Sequence, residues 1–183
     1  MKFLLGILSA LLILGVVGTA ALLTGSFNTA AVVPPGALEK KLAGLALDNS
    51  ASRRAPKISN PLKPSPGVLQ KGLGGYKEMC LLCHAAPGVD VSEIGAGLNP
   101  PAPDLTLPKV QKRTDGELFW IIQNGVRMTG MPAFGPTHED EAIWHMVTFV
   151  RHLPELTPKE EKFLKAGEAG EHEHEAAEAP HVH

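Results

Sequence analysis

The chain has 183 residues and two cysteines, Cys80 and Cys83, which stand three apart in "EMCLLCHAAPG" with His84 directly behind them. On a helix, positions i and i+3 share a face, so both thiols point the same way and the imidazole follows on the next step of the turn. Few architectures use such a cluster. A structural zinc site takes four protein ligands, and a lone C-x-x-C needs a second Cys or His pair at finger-like spacing. No second cysteine pair exists. A thioredoxin-type redox pair expects a βαβ setting, and the surroundings here read as helix and loop. A disulfide across two intervening residues closes too short a loop to constrain the chain much.

The periodicity around the motif is helical. Ser65 and Pro66 suit an N-cap and a first helical position, and Leu69, Gly72, Tyr76, Cys80 and Cys83 then recur at steps of three and four. A second helix is expected at "TDGE", with Thr114 and Glu117 as a capping box and Gly125 as the stop. A third is expected at "THED", where Thr137 and Asp140 sit three apart; its apolar face is Ile143, Trp144, Val147 and Val150, and it ends before Pro154. His145 and His152 fall opposite that face and are expected at the surface. Strand signals are weak, and stretches such as "GAGLNPPAPDL" read as loops. The fold class is therefore all-α. Three short helices joined by long loops bury little surface, and long unstructured loops are uncommon unless something organises them. A bulky apolar group inside the domain would do so.

C-x-x-C-H is the sequence mark of covalently attached c-type haem, with both thiols bonded to the ring edge and the histidine on the iron. That reading uses all three residues and fills the missing core, so one covalent haem c is expected, held by Cys80, Cys83 and His84. The second axial ligand is sought among five methionines. Met1 lies in the N-terminal apolar run, Met79 is too close to the first ligand, and Met146 reads as core filler in a helix. "RMTGMPAFG" offers Met128 and Met131. Met131 is favoured because Gly130 and Pro132 let a stiff loop approach closely, with Met128 as runner-up. A bis-histidine site using His138, His145 or His152 is the lesser alternative.

Residues from about Gly72 to Pro154 resemble the class I mono-haem c-type cytochromes, particularly the domains fused to respiratory oxidase and dehydrogenase subunits. Gly72-x-x-x-Tyr76-x-x-x-Cys80-x-x-Cys83-His84 matches their first helix, "TGMPAFG" their methionine loop and "IWHMVTFVRHLP" their last helix. Ala85 departs from the pattern, standing where a glycine is common. The resemblance implies a cytochrome c-like fold of three to four short helices around the haem, with Gly72 against Phe149 where the first and last helices cross. It also implies that a proline of "NPPAPDL", with Pro101 the candidate, offers its carbonyl to His84, and that Trp120, Arg113 and Arg127 approach the haem propionates. "ALEKKLAGLA" and "NPL" resemble the tether of membrane-anchored members.

Phe3 to Leu23 carries no charge, and as a helix it would span roughly 31 Å, close to a bilayer's hydrocarbon thickness. One N-terminal transmembrane helix is expected; the rival is a secretory signal cleaved after "NTA". Either exports the rest, placing the cysteines on the periplasmic side of a bacterial inner membrane with Lys2 inside. Four regions follow: residues 1–33 as anchor or uncleaved signal, 34–66 as a Pro/Ser-rich tether with a short helix around Leu38–Leu47, 67–156 as the cytochrome domain, and 157–183 as an acidic, His-containing, disordered tail. Within that tail, His172, His174, His181 and His183 form a candidate weak divalent-metal site. A net charge of −2 lacks the basic excess of a nucleic-acid binder. A fully ligated iron favours one-electron transfer with redox protein partners near the membrane, by a carrier or by the cytochrome subunit of an oxidoreductase complex, and not catalysis at the metal. The alternative is a haem-based sensor or peroxidase-like enzyme whose methionine swings away.

Overall fold

A computed structural model describes residues 2–26 and 28–166. The chain divides into two units, Met1–Pro34 and Pro35–His183. The first holds α1 (Lys2–Leu23), which is long and apolar enough to cross a membrane. The four tail histidines, His172, His174, His181 and His183, lie outside the described residues.

The second unit runs α2 (Ala37–Arg54), α3 (Pro66–Met79), α4 (Leu81–His84), α5 (Glu93–Ala96), α6 (Pro108–Gln111), α7 (Asp115–Asn124), α8 (Asp140–His152), a 3₁₀ turn (Leu153–Glu155) and α9 (Pro158–Lys165). Among the described residues there is no strand, only an isolated bridge between Ala86 and Val89. Two helix starts form as their residues dictate. The Ser65 hydroxyl accepts from the Val68 amide at 3.3 Å with Pro66 behind it. Thr114 and Glu117 exchange side-chain-to-amide bonds of 2.8 and 3.2 Å, and α7 stops at Gly125 with φ +65°. The third start differs: α8 begins at Asp140, because the Thr137 hydroxyl turns to the Phe134 carbonyl and to His138 Nδ1.

The core forms where α3 crosses α8. A Cβ on Gly72 would lie 2.4 Å from the His145 carbonyl oxygen and 2.8 Å from Phe149 Cβ, so only glycine admits this approach. The expected Gly72–Phe149 contact is present. Tyr76 and Phe149 then pack at 5.3 Å between ring centroids, and Phe119 of α7 stacks on Trp144 at 4.3 Å.

Ile143 to Val150 are all buried, eight successive residues of α8. This corrects the expectation that His145 and His152 face solvent. His145 is only 7% exposed, because α3 covers the side that the apolar stripe left over. Neither ring nitrogen has a hydrogen-bond partner; Glu141 Oε1 is 3.5 Å from Nε2, too long for one. His152 is largely covered and lies 3.1 Å from Glu160.

The segment read as a tether is folded onto the domain. α2 extends to Arg54, well beyond Leu47, with Ala51 fully buried and Asp48 paired to Arg113. Asn60 donates to the Trp144 carbonyl (3.1 Å) and the Thr148 hydroxyl (2.8 Å), and Asp115 accepts from its amide. Beyond Pro154 the chain folds again, which corrects the expectation of disorder from residue 157 for residues 158–165. Thr157 and Glu160 cap α9, which seals Leu164 into the core.

Two predictions follow from this packing. Gly72→Ala forces α3 and α8 apart at backbone and Cβ atoms, and should cost about 2–3 kcal/mol in denaturant unfolding. Glu160 feels burial as its largest single influence, which raises its pKa, but bonds from the Thr157 hydroxyl and amide and from His152 together outweigh it and hold the carboxyl below its ordinary value of 4.5. A depressed carboxyl stabilises the fold above that value, and the contribution is lost as pH falls through the lowered one. Protection factors of the α9 amides, corrected for the intrinsic pH dependence of exchange, should therefore fall on acidification below 4.5, and Glu160→Gln should remove most of that fall.

Candidate functional site

The site grows from the corner where α3 ends. Cys80 closes α3 and opens α4, so Cys80, Cys83 and His84 lie on adjoining turns. Cys80 is 8% exposed, and burial first, then the neighbouring Cys83, pushes its thiol up to about 12. A thiol so held is a poor thiolate, which argues against a redox dithiol in this setting. Among the described residues, no group of three His, Cys, Asp or Glu is placed to hold a metal ion.

His84 Nδ1 lies 2.8 Å from the Pro103 carbonyl oxygen. A carbonyl can only accept, so Nδ1 carries the proton and Nε2 keeps its lone pair, the tautomer a metal ligand needs. Burial lowers the His84 pKa, partly opposed by that bond, which favours the neutral imidazole. The carbonyl expected from Pro101 comes from Pro103. Along an extended segment, residues two apart present their carbonyls to the same side, and nothing local in "NPPAPDL" sets which one meets the ring.

A cavity of about 290 Å³ adjoins the imidazole, walled by Tyr76, Ala85, Leu105 and Leu153 among others. Met131 and Cys80 are not in its lining, but both belong to the apolar assembly: Cys80 in the core, Met131 half-buried against it. The methionine loop is shaped by short contacts. Val126 donates to the Met131 carbonyl (3.2 Å), Met131 to the Thr129 hydroxyl (3.1 Å), and Gly125 leaves room for the Pro132 carbonyl carbon, 2.6 Å from where a Cβ would stand. Leu98 touches Gly130 of this loop, and Gly95 of the same α5 region touches the Cys83 backbone. Ser92 bonds the Leu82 carbonyl and caps α5. Thus α5 and Leu98 join the cysteine corner to the methionine loop. Met128 is 90% exposed.

The other sequence candidates scatter. Arg113 is spent on Asp48, Trp120 is half-buried on α7 and Arg127 is exposed. His138 bonds Thr137 and packs its edge on Phe134, His145 faces α3 and His152 faces Glu160; none lines the cavity.

Sequence reasoning missed the Tyr76 hydroxyl, which donates to the Ala85 carbonyl from a fully buried ring. Burial first, then Cys80 and Asp104, pushes this phenol far above its ordinary range, so it stays a donor. Ala85 itself sits at φ 55°, ψ −164°, a region that residues with a Cβ rarely adopt. The departure from glycine noted at this position was the available signal. Relief of that strain, less the extra unfolded-state freedom of glycine, predicts that Ala85→Gly stabilises the protein by roughly 1 kcal/mol in denaturant unfolding.

Two thiols on one corner, an imidazole with its far nitrogen fixed, a thioether on a braced loop and an apolar interior fit a covalently held haem. A search of the curated proteins found no match. Residues 67–150 match the family model described as cytochrome C oxidase, cbb3-type, subunit III. Over residues 67–150 the chain is thus similar to the c-type cytochrome domain of that family, and it also has an N-terminal helix long and apolar enough to cross a membrane.

Proposed function

We propose that this chain carries single electrons between redox protein partners at a membrane, as a tethered carrier or as the cytochrome subunit of a respiratory oxidoreductase on the periplasmic side. One haem c would be joined by thioether bonds to Cys80 and Cys83 and held axially by His84 and Met131. The observation that carries this reading is the His84–Pro103 bond, which orients a neutral imidazole with Nε2 available, next to the two thiols.

Haem c, when bound, supplies a reversible one-electron couple. His84 holds its position in both oxidation states because its ring is fixed from the far side. Met131 would be better suited than Met128 to hold the iron together with His84, being half-buried on a braced loop where Met128 is exposed. A soft, neutral thioether favours the reduced metal and raises the potential. If His84 and Met131 both hold the iron, a substrate would find no open position, and this favours electron transfer over catalysis at the metal. The surrounding apolar side chains keep water away and raise the potential further. Trp120 and Arg127 are the candidates for the propionates. The uncharged α1 would hold the domain near membrane partners and raise its effective concentration there.

Protein matured in an exporting bacterium should keep its haem spectrum after denaturation. Met131→Ala should lower the reduction potential by on the order of 0.1 V, within the roughly 0.8 V range that axial ligands span, and should let the reduced protein bind carbon monoxide. An unchanged six-coordinate spectrum at the original potential would refute the assignment. Avid carbon monoxide binding by the unsubstituted protein would instead favour a ligand sensor.

A further inference from the structure

The N-terminal half of α2 is helical although residues 37–43 are exposed all round; the face that docks on the unit begins with Leu47 and continues through Asp48 and Ala51. The Gly36 amide donates to Glu39 Oε2 at 3.3 Å, but short helical segments without packing are marginal in water. Leu38, Leu42 and Leu45 are 68%, 56% and 50% exposed. At 3.6 residues per turn they fall within about 60° of one another and about 130° round from the docked face. Lys41 and Arg53 fall on either side of this stripe. A contiguous leucine stripe with a basic flank on each edge is the pattern of an interfacial helix. The chain adds a second observation. Residues 24–36 link α1 to α2, contain no charge, and can span at most about 45 Å when fully extended.

We propose that Leu38, Leu42 and Leu45 form a lipid-facing surface, with α2 lying in the headgroup layer of the bilayer that α1 enters and with Lys41 and Arg53 facing anionic headgroups. This rests on the reading of α1 as a membrane anchor. Three leucines give little affinity by themselves, but the short linker makes the contact intramolecular, and weak binding then suffices. The C-terminal half of α2 is fixed to the domain through Ala51 and through Asp48 with Arg113. Lipid contact along the leucine stripe therefore limits how the cytochrome domain can turn over the membrane, and so which of its faces meets a membrane-bound partner.

The test uses the full chain in vesicles of phosphatidylethanolamine and phosphatidylglycerol, with p-benzoylphenylalanine in place of Leu42 in one preparation and of Lys40 in another. Lys40 lies on the side away from the stripe. After irradiation, phospholipid adducts several-fold more abundant at position 42 than at position 40 are expected. Equal yields, no lipid adduct at position 42, or adducts there to a second copy of the chain would overturn the proposal while α1 still anchors the protein. Release of the chain from the vesicles by an alkaline wash would overturn the anchor reading itself, and the proposal with it.

Discussion

The crossing of α3 over α8 at Gly72 is the contact on which the rest depends. With no Cβ at this point, the α8 backbone approaches α3 directly, and Tyr76 and Phe149 meet one turn further on. The end of α3, where Cys80 and the α4 corner begin, is thereby fixed relative to the largest buried helix. A shift at Gly72 would be transmitted along α3 to the site, because close-packed interiors move as blocks and do not deform smoothly.

The second constraint is the backbone just behind His84. Ala85 stands in a conformation costly for any residue with a side chain, and its carbonyl is held by the Tyr76 hydroxyl. Tyr76 thus joins the helix crossing to the turn behind His84: its ring packs on Phe149 and its hydroxyl reaches the residue after His84. On the other side of the ring, Pro103 fixes Nδ1. Held from the backbone and from the ring, the imidazole has little freedom to rotate.

What could be read in the sequence was local. The Ser65–Pro66 start, the Thr114–Glu117 box and the Cys80–His84 turn depend on residues a few positions apart, and all form as expected. The capping pair Thr157 and Glu160, with Pro158 behind the cap, was equally local, and it marked α9 inside what composition labelled a tail. What could not be read was long-range. The burial of His145 depends on which helix lies across α8, and its wheel position alone suggested solvent. The choice of Pro103 over Pro101 depends on the path of an extended loop relative to His84. The role of Asn60 depends on α8 carbonyl and hydroxyl groups more than eighty residues away in sequence. At the site, the motif singled out Cys80, Cys83 and His84, but the bracing of the methionine loop through Leu98 and Gly130 required the folded chain.

The family-matched segment and the folded unit do not coincide. The match begins at residue 67, whereas the unit begins at Pro35. The earlier residues satisfy groups that the matched segment leaves exposed. Asn60 engages the Trp144 carbonyl and the Thr148 hydroxyl, Asp48 pairs with Arg113, and a Cβ on Gly116 would lie 2.0 Å from the Pro56 carbonyl oxygen. Arg151 completes the set, bonding Asp115 and the carbonyls of Gln111 and Arg113. Buried polar groups left without partners cost more than the bonds themselves return. The segment after the linker is therefore structural: it covers α7 and α8, and it connects the cytochrome core to the chain that leads toward α1.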